Sequence, residues 1–303
     1  MKVVLAGATG FLGTNLVQRL VARGDSVVIL TRRLPSGRPD HPTAVQYIRW
    51  DGKSQGEWSA ALSGAHAVVN LSGESMGGGR WTRAKKQRIR SSRIEPTRSL
   101  VEAMRDMPGP PAVLVNISAV GYYGGTGSSP AAESEGPGSG FVAETCLLWE
   151  AEAHRAAECG VRVVVPRLGV VLGKGGGALT RMVLPFKFFV GGPIGSGKQW
   201  FPWVHMDDAV GAILMCLDNS SVSGPINVVA PESVTMAWFS KVLGEVLGRP
   251  SWMPVPGVVV RAILGEMSQM VLEGRQVLPG RLLELAYPFA YPKLSGALKS
   301  LYS

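Results

Sequence analysis

An apolar run, Val3-Val4-Leu5-Ala6, passes directly into Gly7-Ala8-Thr9-Gly10-Phe11-Leu12-Gly13. Leu12, Leu16, Val17, Leu20 and Val21 then recur at helical spacing until Gly24. This order predicts a buried strand, a tight turn and an amphipathic helix. The three glycines have different tasks: one allows the sharp turn, one admits a ligand close to the backbone, and one lets the helix pack against the sheet. The unclaimed amides of the helix's first turn, and the positive end of its dipole, then face an anion. Gly7, Thr9, Gly10, Phe11, Leu12 and Gly13 are therefore expected to hold a dinucleotide pyrophosphate. The flanking strand and helix supply the context that a bare glycine triplet lacks, and weigh against a tight turn with no ligand.

The end of the second strand distinguishes the two nicotinamide dinucleotides. An acid there bonds the ribose 2'-hydroxyl, whereas an arginine accommodates a 2'-phosphate. Val27 to Leu30 is followed by Thr31-Arg32-Arg33, and Asp25 precedes the strand and falls at its other end. The expected cofactor is NADP. The competing reading is that Arg32 and Arg33 only solubilise a loop.

Further apolar runs, Val45 to Arg49, Ala67 to Leu71, Ala112 to Ser118 and Val161 to Pro166, alternate with helices beginning near Glu57, Thr82 and Phe141. Alternation of this kind predicts an α/β fold, a Rossmann-type doubly wound parallel sheet covered on both faces. Ligands then collect at the carboxyl ends of the strands, here Leu71-Ser72-Gly73-Glu74, Ser118 to Gly124 and Arg167 to Gly173. Residues 1–173, joined again by 206–230, should form the dinucleotide-binding domain. Residues 174–205 and 231–303 should form a smaller, mostly helical substrate lobe. The tract Gly173-Lys174-Gly175-Gly176-Gly177 lacks the terminal Lys-Ser or Lys-Thr of a nucleotide P-loop and reads as a hinge or lid. Beyond it, Met182 to Phe189 is expected as an apolar helix, and Asp207-Asp208 as the cap of a helix running through Leu217.

A chain of 303 residues with 46% hydrophobic content can bury a large core. With no leader ahead of the first strand and no run of membrane-spanning length, the expectation is a soluble, cytoplasmic protein with no membrane partner. Cys146, Cys159 and Cys216 are isolated from one another and no histidine stands at ligand spacing, so neither a disulfide framework nor a metal is expected. The formal charge of +9 raises the question of nucleic acid. Its densest segment, Arg80 to Arg98, lacks the aromatic stacking set of RNA binders and any helix-turn-helix pattern, and is expected to be a solvated basic helix. A small-molecule substrate and a homodimer are the expected partners.

Several longer segments resemble the extended short-chain dehydrogenase/reductase superfamily, and within it the epimerase-family oxidoreductases that carry a distinct C-terminal domain. These are Ala6 to Gly13, Asn70 to Glu74, Arg80-Trp81, Ser92-Arg93, Ser118-Ala119-Val120-Gly121-Tyr122-Tyr123-Gly124, Trp149-Glu150, Leu172 to Gly177 and Gly191 to Asp208. The resemblance implies cofactor contacts at Thr31, Arg32, Leu71, Ser72 and Arg93, with Gly73 in the same strand-end turn and Val171 near the nicotinamide. It also implies a tyrosine acid-base whose pKa is lowered by a lysine four positions later. The helix from Gly140 to Glu150 has neither. Val142 and Cys146 stand at those positions. Ser118, Tyr122 and Tyr123 are the remaining catalytic candidates, with Glu74 and Glu144 as further acids and His205 as a structural histidine. Two functions fit: an oxidoreductase or epimerase for a small carbonyl or hydroxyl compound, or a nucleotide-binding sensor that has lost catalysis.

Overall fold

The computed structural model describes residues 1–35, 44–127 and 129–302. The first half runs β1 (Lys2–Ala6), α1 (Phe11–Ala22), β2 (Ser26–Thr31), β3 (Val45–Arg49), β4 (Ala67–Asn70), α2 (Arg83–Arg105) and β5 (Val113–Asn116). It continues through a short β6 (Ser118–Ala119), α3 (Phe141–His154), β7 (Arg162–Leu168), β8 (Val170–Leu172), α4 (Leu179–Lys187), β9 (Trp203–His205), α5 (Met206–Asp218) and β10 (Gly224–Val228). Five further helices follow: α6 (Met236–Leu247), α7 (Gly257–Leu264), α8 (Gln269–Leu272), α9 (Gly280–Glu284) and α10 (Leu294–Tyr302). The main sheet has the order β10-β7-β5-β4-β1-β2-β3, with β6 also pairing to β7, and every pairing is parallel. The order reverses beside β1, which opens a crevice above its carboxyl end.

Strand interiors face helices on both sides, so they read as unbroken apolar runs. Along β1, Val3 and Leu5 join the core beneath α1 and α5, while Val4 and Ala6 join the core beneath α2. Each of the valines and the leucine contributes about 1.5–3 kcal/mol of burial. Register decides what stands together at the carboxyl edge. Ala6 pairs with Leu30 and with Asn70, and Asn70 with Asn116. The residues just beyond these ends, Gly7, Thr31-Arg32, Leu71-Ser72-Gly73 and Ser118, are thereby gathered on one rim.

A separate core unites α4, α6 and α10 around Phe186, Phe201, Trp203 and Phe239. Two details of this region differ from expectation. Helix α4 ends at Lys187, leaving Phe188 and Phe189 outside it and exposed. The cap of α5 is His205, whose Nδ1 accepts from the Asp207 amide. Asp208 instead accepts from the amides of Ala290 and Tyr291, fastening the C-terminal segment to α5. Among the described residues no helix is long and apolar enough to cross a membrane, and no His/Cys/Asp/Glu group has the makings of a metal site.

Candidate functional site

The glycine turn is shaped by close approaches. Gly7 sits at φ +75°, and a Cβ there would fall 2.7 Å from the Leu71 carbonyl carbon. At Gly13 a Cβ would fall 2.5 Å from Ala8, so only glycine lets α1 seat this close to the turn. Gly10 differs, because a Cβ there would meet nothing nearer than the Gly7 carbonyl oxygen at 3.6 Å. Its outer face is open. The first turn of α1 has no side-chain cap and no acidic residue. Among the described residues no acceptor is engaged by the amides of Phe11, Leu12 and Gly13. Thr9 and Gly10 are exposed beside them. The cradle presents donors and space, the fit an anionic diphosphate requires. Phe11 reaches the loop after β8, where Gly173, Gly176 and Gly177 close over its ring.

Arg32 is exposed one residue beyond β2, on the same rim as Gly7, and the Thr31 hydroxyl is bonded to the backbone of Arg33. Asp25 lies at the opposite end of β2, paired with the N-terminal ammonium and Arg23 at 2.6 Å each. Burial raises its pKa, but those two cations outweigh burial and hold it below the usual carboxylate value.

The turn after β4 is organised from below by buried amides. Asn70 donates to Thr97 at 2.8 Å and to Asn116 at 2.7 Å, and its Oδ1 accepts from the Ser72 amide at 3.1 Å. Trp149 of α3 also donates to Thr97, at 2.9 Å. Above this network lies Arg93, only 8% exposed. Its Nη1 donates to the carbonyls of Glu74 and Ile89 at 3.0 Å, while its buried Nε has no partner. The absence of a side chain at Gly73 allows the guanidinium to press on the turn, within 3.0 Å of where a Cβ would stand. Burial pulls its pKa below the ordinary value, and it forms no ion pair among the described residues. A buried cation with an idle donor beside Leu71-Ser72-Gly73 fits an incoming polar or anionic group.

At the far end of the rim the side chains look inward. Ser118 donates to Glu150 of α3 at 2.6 Å. Glu150 is gripped by Arg167 of β7 through two bonds of 3.0 and 2.8 Å. Arg167 in turn donates to the Tyr123 hydroxyl at 2.8 Å and stacks on the Tyr122 ring at 3.5 Å. Tyr123 donates to Asn227 of β10 at 2.7 Å. Burial opposes the Arg167 charge, but Glu150 and Tyr123 more than restore it, so its pKa is raised. Burial also raises that of Tyr123. Ser118 and Tyr123, expected as catalytic groups, lie in an internal network in which their hydroxyls bond to buried partners. Tyr122 is packed under Arg167 in the same cluster. On α3, Val142 fills the space at Gly121, and Cys146 lies against Ser118, with its thiol pushed up to about 11 by burial.

Comparison with known proteins fits this geometry. Residues 3–230 match the NAD dependent epimerase/dehydratase family. The chain belongs to that family. Residues 255–301 match a domain of unknown function, DUF1731. The Arabidopsis thaliana epimerase family protein SDR39U1 homolog, chloroplastic, is 42% identical over 99% of this chain and 86% of its own. The Bos taurus protein SDR39U1 is 40% identical over 99% of both chains. A crystal structure of human SDR39U1 with NADPH superposes with a TM-score of 0.89 at 38% identity, covering 100% of this chain and 99% of that one. UDP-glucuronic acid 4-epimerase from Bacillus cereus, at 20% identity, shares the fold with a TM-score of 0.79, over 100% of this chain and 98% of that one.

Within this epimerase family scaffold the other candidates are tied down. Glu74 pairs with Lys85 at 2.6 Å and Arg88 at 3.4 Å, which lowers its pKa and favours the ionised form, without a proton to donate. Glu144 is exposed and meets Arg90 at 3.3 Å. His205 is neutral in character. Its Nδ1 accepts from Asp207, its Nε2 faces Ser300 at 3.3 Å, and burial lowers its pKa. Val171 is half-buried in β8, paired with Val204. The basic segment, opposed in sequence by Glu95 alone, meets Glu74, Glu144, Glu152 and Glu266 in space. Sequence reasoning passed over Glu150, Arg167, Asn70 and Asn116 as a set. The available signal was polar side chains inside otherwise apolar strand and helix faces.

Proposed function

We infer that this chain binds NADP(H) and acts as an oxidoreductase or epimerase on a small carbonyl or hydroxyl compound. Residues 1–173 and 206–230 form the dinucleotide-binding body in this reading, and 174–205 with 231–303 the substrate lobe. One observation carries it: the uncapped amides of Phe11, Leu12 and Gly13 lie beneath the open face of Gly10, with Arg32 on the same rim. The NADPH-bound human relative supports the same assignment. Gly7, Thr9 and Gly10 to Gly13 take the diphosphate. Thr31 and Arg32 take the 2'-phosphate end, where a charge-assisted contact favours NADPH over NADH. Leu71, Ser72, Gly73 and Arg93 line the middle of the crevice, and Val171 stands towards the nicotinamide. When bound, the cofactor supplies hydride transfer.

The proton is the open part of the chemistry. Ser118 has given its hydrogen to Glu150 and serves as a positioning residue, holding the β6 end against α3. Among the described residues Tyr122 is the candidate phenol without a hydrogen-bond partner, and with a bound water it is the proposed proton carrier. The sensor reading is favoured by α3, where a valine and an uncharged thiol stand in place of the tyrosine and lysine. The test is to mix NADPH-loaded protein with sugars, quinones and aldehydes while following nicotinamide absorbance. The enzyme reading expects turnover that falls in Tyr122→Phe. Tight NADPH binding without turnover across the series selects the sensor.

A further inference from the structure

Helix α7 carries its apolar stripe on the wrong side for a soluble protein. Val258 and Ile263 are 70% and 64% exposed, with Val259 and Ala262 beside them on the outer face, while Val260 alone of its valines is buried. The segment leading into α7 is bridged to the chain beyond α4 at Gly191–Ser251 and Ile194–Val255. Trp252, 62% exposed, donates its indole N–H to the Phe189 carbonyl at 3.0 Å, and Phe188 next to it is 69% exposed. Phe189 adopts φ +61° with its ring outward, a backbone state that a bulky residue holds only at a cost. Single exposed apolar side chains need no explanation, but Phe188, Phe189 and Trp252 together, followed directly in the chain by the outer stripe of α7, do.

Charge identifies the occupant. Residues 174–206 contain Lys174, Arg181, Lys187 and Lys198 and no Asp or Glu. Residues 248–265 contain Arg249 and Arg261 and again no acid. Arg249 lies over the Phe189 ring at 4.4 Å. Of the acids that flank these segments, Glu266 is held by Lys86 and Asp207 stands beside His205, while Glu245 is exposed on α6. Aromatic and aliphatic side chains whose own segments carry cations and no acid, with Arg249 over the Phe189 ring, match the boundary of an anionic bilayer, where rings enter the headgroup layer and lysine and arginine meet lipid phosphates. A second copy of the chain would set cations against cations. We propose that the α4–α7 face docks this protein on anionic lipid surfaces as a peripheral protein, with no segment crossing the bilayer.

The experiment is cosedimentation of the full-length chain with phosphatidylcholine vesicles, with and without phosphatidylglycerol. The expected result is binding at least about tenfold tighter to the anionic vesicles, lost progressively with salt. Phe188→Ser with Trp252→Ser should reduce that binding at least about tenfold, while thermal melting and NADPH affinity stay unchanged. Trp252→Phe keeps the apolar contact and removes a fluorophore, so binding should persist while quenching by brominated lipid falls. Equal affinity for neutral and anionic vesicles overturns the proposal. So does absence of vesicle binding, whether the face instead pairs two copies, seen as a concentration-dependent dimer broken by the same substitutions, or captures an acidic protein.

Discussion

The two ends of the crevice are built by opposite means. At the α1 end, seven consecutive residues shape the cradle with backbone alone, and the donors point outward with nothing bonded to them. At the β6 end, Ser118, Tyr123, Glu150, Arg167 and Asn227 come from four separate elements and one connecting turn, and their polar atoms bond to one another. The first arrangement leaves its hydrogen-bonding capacity for a ligand. The second spends it on the fold. An open end and an internally satisfied end lead to different consequences on mutation.

The largest effect is expected at the satisfied end. Glu150→Ala leaves the buried Arg167 charge uncompensated and should cost about 3–5 kcal/mol, read by denaturant unfolding. NADPH affinity of the fraction that remains folded should be unchanged, and a parallel loss of affinity would break the separation of the two ends. Gly13→Ala acts on the cradle instead. Its Cβ meets Ala8, so stability should fall by about 1–3 kcal/mol, with NADPH affinity falling as α1 is pushed off the turn. Arg32→Ala should leave the melting temperature alone and weaken NADPH about tenfold relative to NADH, for loss of one charge-assisted contact.

The smallest effect concerns Asp25, far from both ends. Its folded pKa is depressed, so its contribution is present above the unfolded value of about 3.9 and disappears as pH falls through the lower folded value. Because its cationic partners are partly exposed, Asp25→Asn should cost about 1 kcal/mol or less at neutral pH. Near pH 3 the difference from the parent protein should shrink, as shown by unfolding curves at both pH values.

The same contrast explains what could be read from the chain. The parallel sheet, the turn at Gly7 to Gly13 and the start of α2 near Thr82 are local patterns, and the structure has them where the spacing placed them. The Ser118 network was not legible because it depends on which strand neighbours which. Glu150 reaches Arg167 across the pairing of α3 with β7, seventeen residues away, and Tyr123 reaches Asn227 over a separation of 104. For a similar reason α4 was expected to run too far. Its apolar composition continues through Phe189, but the backbone turns left-handed there and leaves the helix. The acidic partners of α2 were likewise not legible from sequence, since they lie in other elements.

The most direct test of the account is titration of the purified chain with NADPH and with NADH, followed by nicotinamide fluorescence. Saturable binding of both with NADPH clearly tighter is the predicted result. No saturation by either cofactor would contradict the claim that the open amides of the first helix are there to hold a dinucleotide.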